Sequence, residues 1–95
     1  MHWDVVEVKP AGGRALSVRF ADGVSGTVCL NPAYCTGVFE PLLDETLLAQ
    51  ARVENGVVVW PNGLDLAPDT MYREIKRSPT RRYEVGKRSE KLNNP

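Results

Sequence analysis

In the stretch Arg14 to Phe20 apolar and polar side chains alternate from Leu16 onward, with Leu16, Val18 and Phe20 on one side and Ser17 and Arg19 on the other. A period of two with one wet face predicts a β-strand on a half-buried sheet. An earlier strand is expected over Trp3 to Lys9, ended by the breaker Pro10-Ala-Gly-Gly13. Ala21-Asp-Gly23 supplies a tight turn into a third strand, Val24 to Leu30, because glycine accepts positive φ at little cost. Its alternation puts Val28 and Leu30 on one side and Ser25, Thr27 and Cys29 on the other. Three strands joined by short turns make an antiparallel meander.

Asn31-Pro32 closes that strand, and the spacing then changes. Phe39, Leu42, Leu43, Leu47 and Leu48 fall on one helical face, but Pro41 confines the regular helix to Asp44–Gln50. Asp44 suits its cap and Glu45 its positive end. Asn55-Gly56 lies inside the apolar run Arg52 to Trp60, the strongest short signal for a hairpin with a type I′ turn. Trp60-Pro61 stops the strand, and Asn62-Gly63 turns the chain again. Pro68 fits the first position of a second helix, Asp69 complements its dipole, and Ser78-Pro79 ends it. Met71, Tyr72 and Ile75 are its inward residues.

The expected fold is therefore α+β: a three-stranded antiparallel meander, a short helix, a β-hairpin, and a C-terminal helix with a basic tail. Residues 1–78 make one domain, and 79–95 are expected to form a flexible basic tail with few large apolar side chains. The strands count as five in one sheet, leaving an edge open for pairing with another chain, a homodimer included. A chain of 95 residues holds one small core, with a stability of about 5–10 kcal/mol.

Net charge is zero, but it is unevenly laid out. Up to Tyr72 there are four basic and nine acidic side chains; from Arg73 onward there are eight basic and three acidic. An acidic body precedes a basic end. No apolar run approaches the ~20 residues that span a membrane, and no secretion signal opens the chain. Cys29 and Cys35 are then expected as reduced thiols in the cytoplasm.

Candidate chemistry is sparse. The single histidine, His2, sits near the start, and no His/Cys cluster has zinc-ligand spacing. No glycine-rich loop has a phosphate-binding pattern. Neither cysteine has a sequence-evident activating base. Asp65 and Asp69, four apart across a helix start, read more simply as cap and dipole partner than as an acid–base pair. No catalytic residue, metal or cofactor is expected.

Two binding readings remain. Trp60, Asn62, Asp65 and Tyr72 are candidate partner-binding residues, since an aromatic beside a rigid turn is a common recognition element. The plainer reading, that Trp60 caps the sheet and Asn62-Gly63 only turns the chain, carries more weight because turn residues need no function to explain them. Arg77, Arg81, Arg82, Tyr83, Lys87 and Arg88 mix cations with an aromatic and are candidates for nucleic-acid binding. Against that stands a solubilising tail broken by Glu84 and Glu90, and the two readings stand level.

The chain resembles the bacterial Domain of Unknown Function 2442 family over about residues 1–77. The resemblance is carried by Trp3 to Val8, by a strand ending Phe20-Ala-Asp-Gly23, and by Gly37-Val-Phe39 followed by Leu42-Leu-Asp44. Its main support is Val59-Trp-Pro-Asn-Gly-Leu-Asp-Leu-Ala-Pro68 with Tyr72. It implies a small bacterial α+β protein, encoded in many cases beside another small protein in toxin–antitoxin-like pairs. It implies no catalytic residues. Some members continue into a helix-turn-helix domain, for which the residues after Ser78 are too few. The expected function is a non-catalytic protein-interaction module with a small protein partner, antitoxin-like. The alternative is a nucleic-acid-associated regulator acting through the basic tail.

Overall fold

The computed structural model describes residues 1–35 and 37–85. Three strands, β1 (Val5–Pro10), β2 (Ala15–Phe20) and β3 (Ser25–Cys29), form the expected antiparallel meander. Leu16, Val18, Phe20 and Val28 are all buried, as the alternation requires. The first strand departs from strict alternation because an irregularity between Val5 and Glu7 shifts its register. Val5 stays in the core, Val6 is left exposed, and Glu7 comes opposite Arg19, with which it pairs at 3.4 Å.

Between β3 and the second half of the chain run two short 3-10 segments, Pro32–Tyr34 and Gly37–Leu43. Pro41, inside the second, is the reason that stretch is not an α-helix. Helix α1 (Glu45–Leu48) follows, capped by the Asp44 carboxylate, which accepts from Thr46 N–H at 2.9 Å. Of the apolar face expected here Leu42 and Leu48 are buried and Leu43 is exposed.

The hairpin β4 (Arg52–Glu54) and β5 (Val57–Val59) turns at Asn55-Gly56, with φ of 52° and 80°. Two consecutive positive φ values are what a type I′ turn demands, and Asn-Gly is the pair that supplies them most cheaply. The chain then reverses again at Asn62-Gly63, and β6 (Asp65–Leu66) returns along β5. Helix α2 (Pro68–Arg77) begins on its proline and ends at Ser78.

Two expectations are corrected. The strands do not form one five-stranded sheet: they form a sheet in the order β1-β2-β3-β7 and a second in the order β4-β5-β6. A two-residue strand such as β6 is too short to show alternation, so only the reversal reveals it. The second correction concerns the tail expected from residue 79. β7 (Arg82–Glu84) pairs in parallel with β3, and Val85 is buried. Residues 86–95 of that tail lie outside the described residues.

The parallel pair closes a crossover from β3 through the second sheet and α2 back to β7. Ser78 makes the return possible. Its Oγ accepts from the N–H groups of Thr80 and Arg82, and Arg81 takes a left-handed φ of 57°. Gly26 lets the segment approach, because a Cβ there would stand 2.7 Å from both Arg81 O and Ile75 Cγ2. The core lies where the meander, α2, α1 and the second sheet meet, around Phe20, Leu30, Leu42, Leu48, Trp60, Met71 and Ile75. Burying each Leu or Phe contributes about 1.5–3 kcal/mol, offset by the entropy of ordering the chain.

Candidate functional site

The four candidate partner-binding residues go to separate surroundings. Trp60 is only 1% exposed, and its indole N–H donates to Leu48 O at 3.0 Å, tying the second sheet to the end of α1. With its ring packed and its one donor used, Trp60 is a core residue and leaves the recognition set. Asn62 is exposed, but its Oδ1 accepts from Leu64 N–H and so builds the turn. Asp65 is exposed on β6. Tyr72 stacks edge-on against Phe20 and His2 and donates its hydroxyl to Asp22 at 2.5 Å, with Lys76 over its ring. That bond holds the Asp22 carboxyl below the usual carboxylate range, helped by Val24 N–H, and raises the Tyr72 hydroxyl.

The basic candidates divide as well. Arg77 pairs with Glu74 at 3.4 Å. Arg81 is exposed, and its carbonyl accepts from Thr27 N–H. Arg82 and Tyr83 stand on opposite faces of β7, as neighbours on a strand must. The Arg82 guanidinium donates to Cys29 Sγ at 2.8 Å on the outer face of the sheet. Tyr83 is half-buried on the α2 side, where burial, then Glu74, push its hydroxyl up while Arg73 opposes them. The ring that was to stack on a base beside the cations therefore faces away from Arg82. Lys87 and Arg88 lie outside the described residues.

β7 is walled by a hollow on each face. On the α2 side Phe39, Leu66, Met71, Tyr83 and Val85 line a space of about 190 Å³, with Asp65 and Thr70 at its polar margin. On the outer face Arg14, Cys29, Asn31, Arg82 and Glu84 line a shallower one of about 330 Å³. Arg14 is anchored there by three bonds, Nε to Leu30 O, Nη1 to Leu43 O and Nη2 to Cys35 Sγ. Two guanidinium groups against one carboxylate leave this hollow positive. The free thiols, Cys29 and Cys35, are buried beneath those arginines.

Arg14, Cys29 and Asn31 were not singled out as site residues from the sequence. Parity did place Cys29 on the outer face, with Ser25 and Thr27. Nothing local could place Arg82 over it, since that contact joins residues 53 positions apart. Among the described residues no three of His, Cys, Asp and Glu are grouped to hold a metal ion. No helix among them is long and apolar enough to cross a membrane. The arrangement sets an outer strand between an apolar hollow on one side and a cationic one on the other.

Comparison with curated proteins and with solved structures gave no match. The model of a family described as "Protein of unknown function (DUF2442)" matches residues 5–77. That span runs from the first residue of β1 to the last of α2, and stops before β7. On a match that covers most of the chain, the protein belongs to the DUF2442 family.

Proposed function

We propose that this protein is a non-catalytic protein-interaction module of the bacterial cytoplasm, the antitoxin-like member of a pair with another small protein. The observation that carries the reading is the edge of β7. It is an outer strand of the four-stranded sheet, and no strand lies beyond it among the described residues. The other edge, β1, is covered where Val5 N–H donates to Gly56 O of the hairpin turn at 2.9 Å. Open edges are surfaces that proteins either protect or use. The test is a pull-down of the N-terminally tagged full chain from its host, with nuclease present. Retention of one small protein supports the reading, and a clean lane under conditions where that protein is expressed counts against it.

A nucleic-acid-associated regulator is the second reading, favoured by the exposed Arg73, Arg77 and Arg81 beside β7. It requires an affinity that falls by roughly 0.9 log unit per log salt for each phosphate contacted.

A further inference from the structure

From the two hollows flanking β7 we infer the chemistry of the partner: an extended segment of a protein in which apolar and acidic side chains alternate, docked along this edge. The inference rests on the interaction-module reading and adds what the partner must look like.

The backbone sets the geometry. Arg81 O and Val85 N–H are bonded to β3, so in this parallel pair the odd-numbered residues turn their backbone groups toward β3 and Arg82 turns its own away. Arg82 N–H is taken by Ser78 Oγ, and its carbonyl faces outward as an acceptor. A segment added there lies about 4.8 Å from β7. Its successive side chains project to opposite faces of the sheet, the same two faces on which the hollows open. One side chain goes toward Phe39, Leu66, Met71 and Tyr83, where only an apolar group replaces the lost hydration without a partner. Its neighbour goes toward the hollow lined by Arg82, Arg14 and Glu84, where two guanidinium groups outnumber one carboxylate and the net positive field favours an acidic side chain. Exposed Arg77 and Arg81 extend the positive field on that end of the molecule and favour an acidic segment in approach.

The other occupants fit less well. The protein's own residues after Val85 include Lys87, Arg88 and Lys91, which would bring like charge to a cationic hollow. A second copy pairing through β7 alone would join three-residue strands, and a stable dimer buries about 1,200–2,000 Å².

The experiment is fluorescence anisotropy of the full chain with short synthetic peptides at fixed salt. One alternates leucine with aspartate, one alternates leucine with lysine, and one has the composition of the first in blocks. The alternating acidic peptide should bind at least about tenfold tighter than either control, a difference of about 1.4 kcal/mol. Arg82→Glu should abolish that preference, and Thr70→Phe, which fills the apolar hollow from α2, should weaken binding independently. Thermal melts of both variants establish that they are folded. Arg19→Ala, on the outer face of β2 away from both hollows, should leave binding unchanged. Equal affinity for the three peptides, or no binding, overturns the inference. So does a concentration-dependent dimer in sedimentation that Arg82→Glu dissociates, which would give the edge to a second copy. Tighter binding of a single-stranded oligonucleotide, lost in Arg82→Glu, would give it to nucleic acid. A host partner retained in the pull-down but indifferent to Arg82→Glu and Thr70→Phe leaves the module reading intact and removes this one alone.

Discussion

Trp60 follows one three-residue strand and Arg82 opens another, each with an aromatic close to a turn, and they end in opposite conditions. Around Trp60 the second sheet, α1 and the meander close on all sides, and the indole N–H is consumed by Leu48 O. Around Arg82 the strand pairs with β3 on one side, no strand lies beyond it among the described residues, and it lines two hollows. The Trp60 turn lies inside the span shared with the family, and β7 lies beyond it. Burial, rather than residue type, separates the segment that builds the core from the segment left at the edge of the sheet.

The comparison breaks most sharply at Trp60. Trp60→Ala should cost about 3–5 kcal/mol, through the cavity it opens and the carbonyl it orphans. Denaturant midpoints should show a loss that consumes much of a small domain's stability. Gly26→Ala attacks the other side, because its methyl group would collide with Arg81 O and Ile75. A cost of about 1–3 kcal/mol is expected, and protease should cut between α2 and Val85 sooner than in the native chain. Ser78→Ala removes the hydroxyl that accepts from Thr80 and Arg82 and should cost about 1 kcal/mol. Amide exchange should then quicken in β7 while the hairpin is unaffected. Arg82→Ala, on an exposed strand, should change the denaturant midpoint least of all. If it destabilises the protein as much as Gly26→Ala, then its bond to Cys29 holds β7 in place and the contrast drawn here fails.

Acid provides a finer probe at the opposite end of α2. The Asp22 carboxyl is held below its unfolded value, first by the Tyr72 hydroxyl and then by Val24 N–H. Its contribution is present at neutral pH and disappears as pH falls from the unfolded value through the lower folded one. Urea midpoints at neutral and acid pH should therefore converge more in Asp22→Asn than in the native chain. An unchanged pH slope would mean that the Tyr72–Asp22 bond adds nothing to folding.

Most local features were legible because their causes are local. Alternation at Leu16, Val18 and Phe20 gave β2, Asn55-Gly56 gave the hairpin turn, and Pro68 and Ser78 bracketed α2. Asp44 was legible as a cap for the same reason. That Tyr83 turns to the α2 face, away from Arg82, was not legible, because parity within three residues gives no sign of which face is inward. The Trp60 turn was open to two readings, with the sheet cap favoured over the recognition loop, and the burial of Trp60 agrees with the favoured one.

What the sequence determined by itself was the meander, the hairpin turn and the bracketing of α2, where each signal acts through neighbours a few positions away; β6 and β7 carry no such local signal. The tertiary structure alone decided that the strands of the described residues divide between two sheets and that β7 crosses back to lie parallel to β3. It alone brought Arg14 and Arg82 into the lining of one hollow. Such contacts join distant parts of the chain, and they form because the whole molecule finds the arrangement that buries Trp60, Ile75 and Val85 together with the fewest polar groups left without a partner.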